Sequence, residues 1–224
     1  MGILTAKIEY GSVNYNLNVE ESDHDFKLLY TPTFDELYHS KVLNGVALPP
    51  HLDPFYHSTM DVRHYTDLLR KCNPNAIEFL FSTNTEYMID DWQYVEDAFR
   101  TFFKSGYVVN GWLYFTSAIR GLSLNTFKRM GVNGKTCSRA FYFYKLVENI
   151  YNNDFVINDE VLRGSFTNEA KELRLNNNTT FDAVEFNTVY DELVTKIGTP
   201  AKRPYDDNVF HETTQWFVKK YMEV

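Results

Sequence analysis

Apolar and polar positions alternate over residues 3–10, the period of a strand, and residues 26–30 (Phe-Lys-Leu-Leu-Tyr) form a second short β-like run. Between these runs stand Gly11, Asn14, Asn16 and Asn18, residue types that tolerate tight or left-handed backbone. The opening therefore predicts a strand, a turn and a strand. A short helix is expected over 33–38. Irregular loop is expected over 43–54, which holds Pro49, Pro50 and Pro54, and partly extended chain over 56–65. Apolar spacing predicts a helix over 66–72 stopped by Asn73-Pro74, and the same pair, asparagine as cap and proline in the first turn, opens a second helix over 75–81. Beyond Asn84 the period becomes helical, with helices expected over 92–104, 110–120, 139–151, 163–173, 181–197 and 213–222. The pattern predicts an α+β chain: a small mixed sheet with flanking helices in 1–84, and a helical C-terminal region, 85–224, packed on it. No Ser/Gly linker marks the soft boundary between them.

With 224 residues, 44% hydrophobic, the chain can bury a core without covalent staples. Its longest apolar runs, such as 76–81, are too short to cross a bilayer. The start lacks a basic stretch followed by a long apolar one, so a cytoplasmic location is expected, the host cytoplasm if the chain is virus-encoded. Cys72 and Cys137 form no Cys-x-x-Cys pair and are expected to be ordinary buried thiols. His51, His57 and His64 fit no zinc spacing.

A net charge of −8 excludes a surface that holds nucleic acid by bulk attraction. The charge is uneven, however, because residues 98–147 contain no Asp or Glu in a chain that has 30. That stretch carries Arg120, Lys128, Lys135, Arg139 and Lys145, which either form a solvated helical face or line a cleft that binds phosphates. Phe141, Tyr142, Phe143 and Tyr144 offer stacking surfaces or, more simply, core. The run Gly131-Val132-Asn133-Gly134-Lys135-Thr136 lacks the spacing of a phosphate loop.

Asp23 and Asp25, separated by one residue on extended chain, would put both carboxylates on one face and His24 on the other. Two such acids suffice to seed a magnesium site completed by substrate phosphates and water. Gly11-Ser12, twelve residues before Asp23, adds a glycine that lets backbone N–H groups approach an anion and a hydroxyl that can donate to a triphosphate.

The run Tyr10-Gly11-Ser12-x-x-Tyr15-x-Leu17, followed by Ser22-Asp23-x-Asp25, resembles the signature of nucleotidyltransferases of the DNA polymerase β superfamily, in particular the group associated with RNA repair operons. The stretch from Leu68 through Asn73-Pro74-Asn75 to Phe81 is similar to that group's helix, turn and helix, and the segments around Ser138 to Leu146 and Glu172 to Leu175 are similar more loosely. Asn16 stands where the group usually has glycine. The resemblance implies that Asp23 and Asp25 hold magnesium or manganese, that Gly11 and Ser12 hold a nucleoside triphosphate such as ATP, and that Asp61 matches the third carboxylate, with Asp53 in reserve. It implies transfer of a nucleoside monophosphate to a hydroxyl, with RNA or tRNA as the favoured acceptor. Two alternatives are a nucleotide-binding module without turnover and a toxin- or antitoxin-type transferase acting on protein.

Overall fold

A computed structural model describes residues 3–20, 22, 24–35 and 58–222. Asp23, Asp53, His51, His57 and the loop expected over 43–54 lie outside the described residues, as does the second half of the helix expected over 33–38.

The described chain is mixed α+β. Strand β1 (Ile3–Tyr10) pairs antiparallel with β2 (Asp25–Thr31), with Tyr10 opposite Asp25 and Ile8 opposite Lys27. Strand β3 (Ser58–Asp61) runs parallel to β2, with Tyr30 opposite Asp61. The sheet has the order β3-β2-β1-β4, and β4 is Thr85–Tyr87. The chain after Asn84 is thus not wholly helical: β4 bonds to β1, and Ser82 and Asn84 bond to the backbone and carboxylate of Glu9 beside it.

Helix α1 (Val62–Arg70) begins four residues before the sequence pattern suggests, because the Asp61 carboxylate caps it by accepting from the Arg63 N–H. The expected extended chain over 56–65 accordingly ends at Asp61. Helix α2 (Pro74–Leu80) is capped as foreseen, the Asn73 side chain accepting from the N–H groups of Asn75 and Ala76. Phe79 of α2 meets Tyr10 edge-on at 5.4 Å, and Ala6, Ile8, Leu29 and Ile77 share one buried core.

Helices α3 (Asp90–Lys104), α4 (Trp112–Met130), α5 (Gly134–Asn152), α6 (Asp159–Leu162), α7 (Phe166–Leu175), α8 (Ala183–Ile197) and α9 (Asn208–Met222) follow. A 3-10 turn, Tyr107–Gly111, enters α4. The helix expected over 163–173 is α7, which starts at Phe166, while Arg163 is the C-cap of α6, a short helix that the pattern does not predict. The last helix, α9, returns to the first half, where Thr214 and Thr66 share a buried hydrogen bond of 2.8 Å and Phe217 meets Trp92 at 4.8 Å. Both cysteines are free and buried. No described helix is long and apolar enough to cross a membrane.

Candidate phosphate-binding cleft

At the end of β1 the chain turns through Gly11, whose φ of +85° is a backbone conformation that L side chains rarely adopt. The amide of Leu17 bonds to the Ser12 carbonyl and that of Asn16 to the Val13 carbonyl, so residues 11–17 form a compact turn. Asn16 has φ of +57°, the left-handed conformation that glycine usually supplies and asparagine tolerates. The replacement therefore preserves the local shape. The same turn carries Tyr10 and Asp25 on one face of the β1–β2 pair and Glu9 and His24 on the other. His24 is engaged there by Glu9, as strand alternation requires.

The second wall comes from more than a hundred residues away. Helix α5 is capped by Asn133 and Thr136 in a reciprocal box, which explains the Gly-Lys-Thr run as a helix start. Its first residue, Gly134, packs so tightly on the end of α7 that an added Cβ would lie 2.7 Å from the Asn177 Cα and 3.0 Å from the Arg174 carbonyl. The Gly134 N–H donates to the Asn177 side chain. This junction sets Lys135, Ser138 and Arg139 of α5 beside Arg174 of α7. Arg174 in turn donates to the Leu17 carbonyl and the Ser22 hydroxyl, tying the helices to the loop that leads into β2.

Gly11, Ser12 and Asp25 thus meet Lys135, Ser138, Arg139 and Arg174 around a cleft of ≈ 160 Å³, with Tyr15, Leu17 and Met130 as its apolar lining. Ser138 is buried to 1% exposure, and its hydroxyl and the Arg139 Nε are buried without a hydrogen-bond partner among the described residues. Thr85 Oγ1, Trp112 Nε1 and Ser123 Oγ are likewise buried without a partner elsewhere among the described residues. A cleft of that size leaves room for a phosphate chain.

Several candidates stand elsewhere. Asp61 lies five residues along β2 from Asp25 by the β2–β3 register, about 16 Å away at ~3.3 Å per residue, and the odd separation turns it to the other face. It is buried, accepts from the Arg63 backbone N–H, and is gripped by the Arg63 guanidinium. The expectation that it joins Asp25 is corrected: it is a helix cap at the opposite end of the strand. Arg120 faces Asn187 and Asp191 of α8, Lys145 pairs with Glu148, and Lys128 is exposed in the last turn of α4, outside the cleft lining. Tyr142 and Phe143 are core, and Phe141 and Tyr144 pack on Phe181.

Ser138, Arg174 and Glu78 received no role from the sequence. Glu78 is a lone acid in an apolar stretch, Ala76-Ile77-Glu78-Phe79-Leu80, and that incongruity was its only signal. It lies buried behind the turn, accepting from the Gly11 N–H and the Tyr15 hydroxyl. Burial pushes its carboxyl up to about 7, against the pull of those two donors and of Arg139. The Gly11 N–H, expected to approach an anion, is therefore directed at Glu78. Among the described residues no group of three or more His, Cys, Asp or Glu could hold a metal ion. Comparison with known proteins finds no matching family model, no matching curated protein and no matching solved structure, so the geometry of this cleft carries the functional reading.

Proposed function

We propose that the chain is a metal-dependent nucleotidyltransferase that holds the phosphates of a nucleoside triphosphate in this cleft and moves a nucleoside monophosphate to a hydroxyl acceptor, releasing pyrophosphate. The observation that supports it is the convergence of Ser12 and Asp25 from the first strands with Lys135, Arg139 and Arg174 from the helices around one cleft. Lys135 and Arg139 would bind the phosphate oxygens, Arg139 with the geometry that suits a planar donor. The Ser12 hydroxyl would donate beside them, and Tyr15, Leu17 and Met130 would limit water. Among the described residues Asp25 is the acid in the cleft lining. One carboxylate fits a magnesium or manganese ion when phosphates and water complete the shell. Held there, the ion would supply Lewis-acid stabilisation of the phosphate charge. Lys128 and Arg129, exposed directly before Met130, continue the positive surface and favour an RNA or tRNA acceptor.

The absence of Asp61 from the cleft favours one further reading, a module that binds nucleotide without turning it over. Incubation with α-labelled nucleoside triphosphates, magnesium and separate pools of tRNA and protein distinguishes them. The proposal expects label in the tRNA pool and at least a ~100-fold loss for Asp25→Asn. Label in protein identifies a toxin-type transferase. Binding without labelling leaves the idle module, and neither binding nor labelling refutes the cleft.

A further inference from the structure

We propose that Glu78 is a positioning residue for the cleft, clamping the turn of residues 11–15 so that Ser12 and Asp25 stand together opposite Arg139. The inference rests on the phosphate-binding reading of the cleft. Three groups of one turn converge on this single residue of α2. The Gly11 N–H and the Tyr15 hydroxyl donate to its two carboxylate oxygens, and the Asn14 side chain donates to its backbone carbonyl at 2.9 Å. Arg163 adds a fourth tie, donating to the Asn14 carbonyl at 3.0 Å and to the Phe81 carbonyl just past α2. The clamp lies at the back of the site: Tyr15 lines the cleft with its ring while its hydroxyl reaches Glu78.

A carboxyl beside Tyr15 and Tyr142 is costly to bury, and an apolar side chain of similar size would fill the space without that cost. What an apolar side chain lacks is the pair of acceptors. Without them Gly11, already at positive φ, loses the bond that orients its amide, and Ser12 and Asp25 lose their fixed spacing. The clamp works through hydrogen bonds, because a neutral amide at this position can still accept from the Gly11 N–H and donate to the Tyr15 oxygen. The role is therefore one of geometry, which separates Glu78 from a residue that acts through its charge.

Calorimetric titration of the full chain with inorganic tripolyphosphate and with magnesium-ATP, together with hydrogen exchange at the Gly11 amide, tests this. Glu78→Gln is expected to bind within about twofold of wild type, whereas Glu78→Ala weakens binding about tenfold and Tyr15→Phe about threefold. Gly11 exchange should quicken in the alanine variant and stay slow in the glutamine one. The Tyr15→Phe, Glu78→Ala double variant should be no weaker than Glu78→Ala alone, since both act through one clamp. Wild-type affinity in Glu78→Ala, equal loss in Glu78→Gln, or multiplying losses overturns the proposal. Should Glu78→Ala not fold, Tyr15→Phe decides: unchanged affinity with unchanged Gly11 exchange overturns it. A wild-type protein that binds neither ligand overturns the cleft reading itself, a result distinct from normal binding that ignores Glu78.

Discussion

The two ends of β2 hold acids of the same chemistry in opposite situations. Asp25 opens the strand half-buried at a cleft whose far wall is cationic, while Asp61, beside the other end, is buried, caps α1 and is gripped by Arg63. Sequence type and strand context are nearly alike. The difference comes from the next element: after Asp61 the chain turns at once into a helix whose first N–H groups need an acceptor, whereas Asp25 is preceded by a loop tied to Arg174 at Leu17 and Ser22. An acid at a strand end is thus a site or a cap according to what its neighbours lack.

The sharpest way to break this comparison is to neutralise each acid in turn. Asp61→Ala should cost about 3 kcal/mol of stability in denaturant titration, from the lost cap and the lost partner of Arg63, yet leave phosphate affinity per folded molecule unchanged. Asp25→Asn should abolish the proposed transfer, as measured with α-labelled nucleoside triphosphates. A loss of affinity in Asp61→Ala would mean that the two ends communicate.

A smaller effect concerns the buried acid behind the turn. Glu78 titrates near 4.5 when unfolded and is pushed up to about 7 when folded, so the folded state holds its proton longer. Its contribution is therefore fully present below pH 4.5 and fades as pH rises through 7. Stability should fall by about 2 kcal/mol between pH 5 and 8 on its account, and Glu78→Gln should remove that part of the slope in parallel melts. A slope unchanged by the substitution would place the ionised form in the fold. Smallest of all, Asn16→Gly should change stability by less than about 1 kcal/mol, because the left-handed geometry is kept while the unfolded chain gains freedom. A larger loss would assign the Asn16 side chain a role that its exposed position does not suggest.

Much of this architecture was legible in the chain. The alternation over 3–10, the β-like run over 26–30 and the Asn73-Pro74 cap are local signals, and each marks an element that the structure contains. Strand β4 was not legible, because Thr85-Glu86-Tyr87 is too short to show a period and is extended only by pairing with β1. Helix α4 runs ten residues past the expected end because Gly121, Ser123, Asn125 and Thr126 blur its apolar pattern without breaking it. At the site, Gly11, Ser12, Asp25, Lys135 and Arg139 were identified from residue type and spacing and meet at one cleft. Arg120 and Lys145 looked equivalent to them, since a census of cations does not count the partners that neutralise them. For Arg120 those partners, Asn187 and Asp191, lie 67 and 71 residues away.

The reach of Arg174 back to the Leu17 carbonyl, 157 positions earlier, has a consequence for biosynthesis. At roughly 5–20 residues per second, a nascent chain carries its glycine turn and Asp25 for on the order of ten seconds before the guanidinium that braces them has been made. The cationic wall is missing for nearly as long, so a growing or truncated polypeptide presents only an acidic turn, which repels triphosphates. On the proposed function, a fragment ending before residue 174 is therefore expected to be inert however well its sheet has formed.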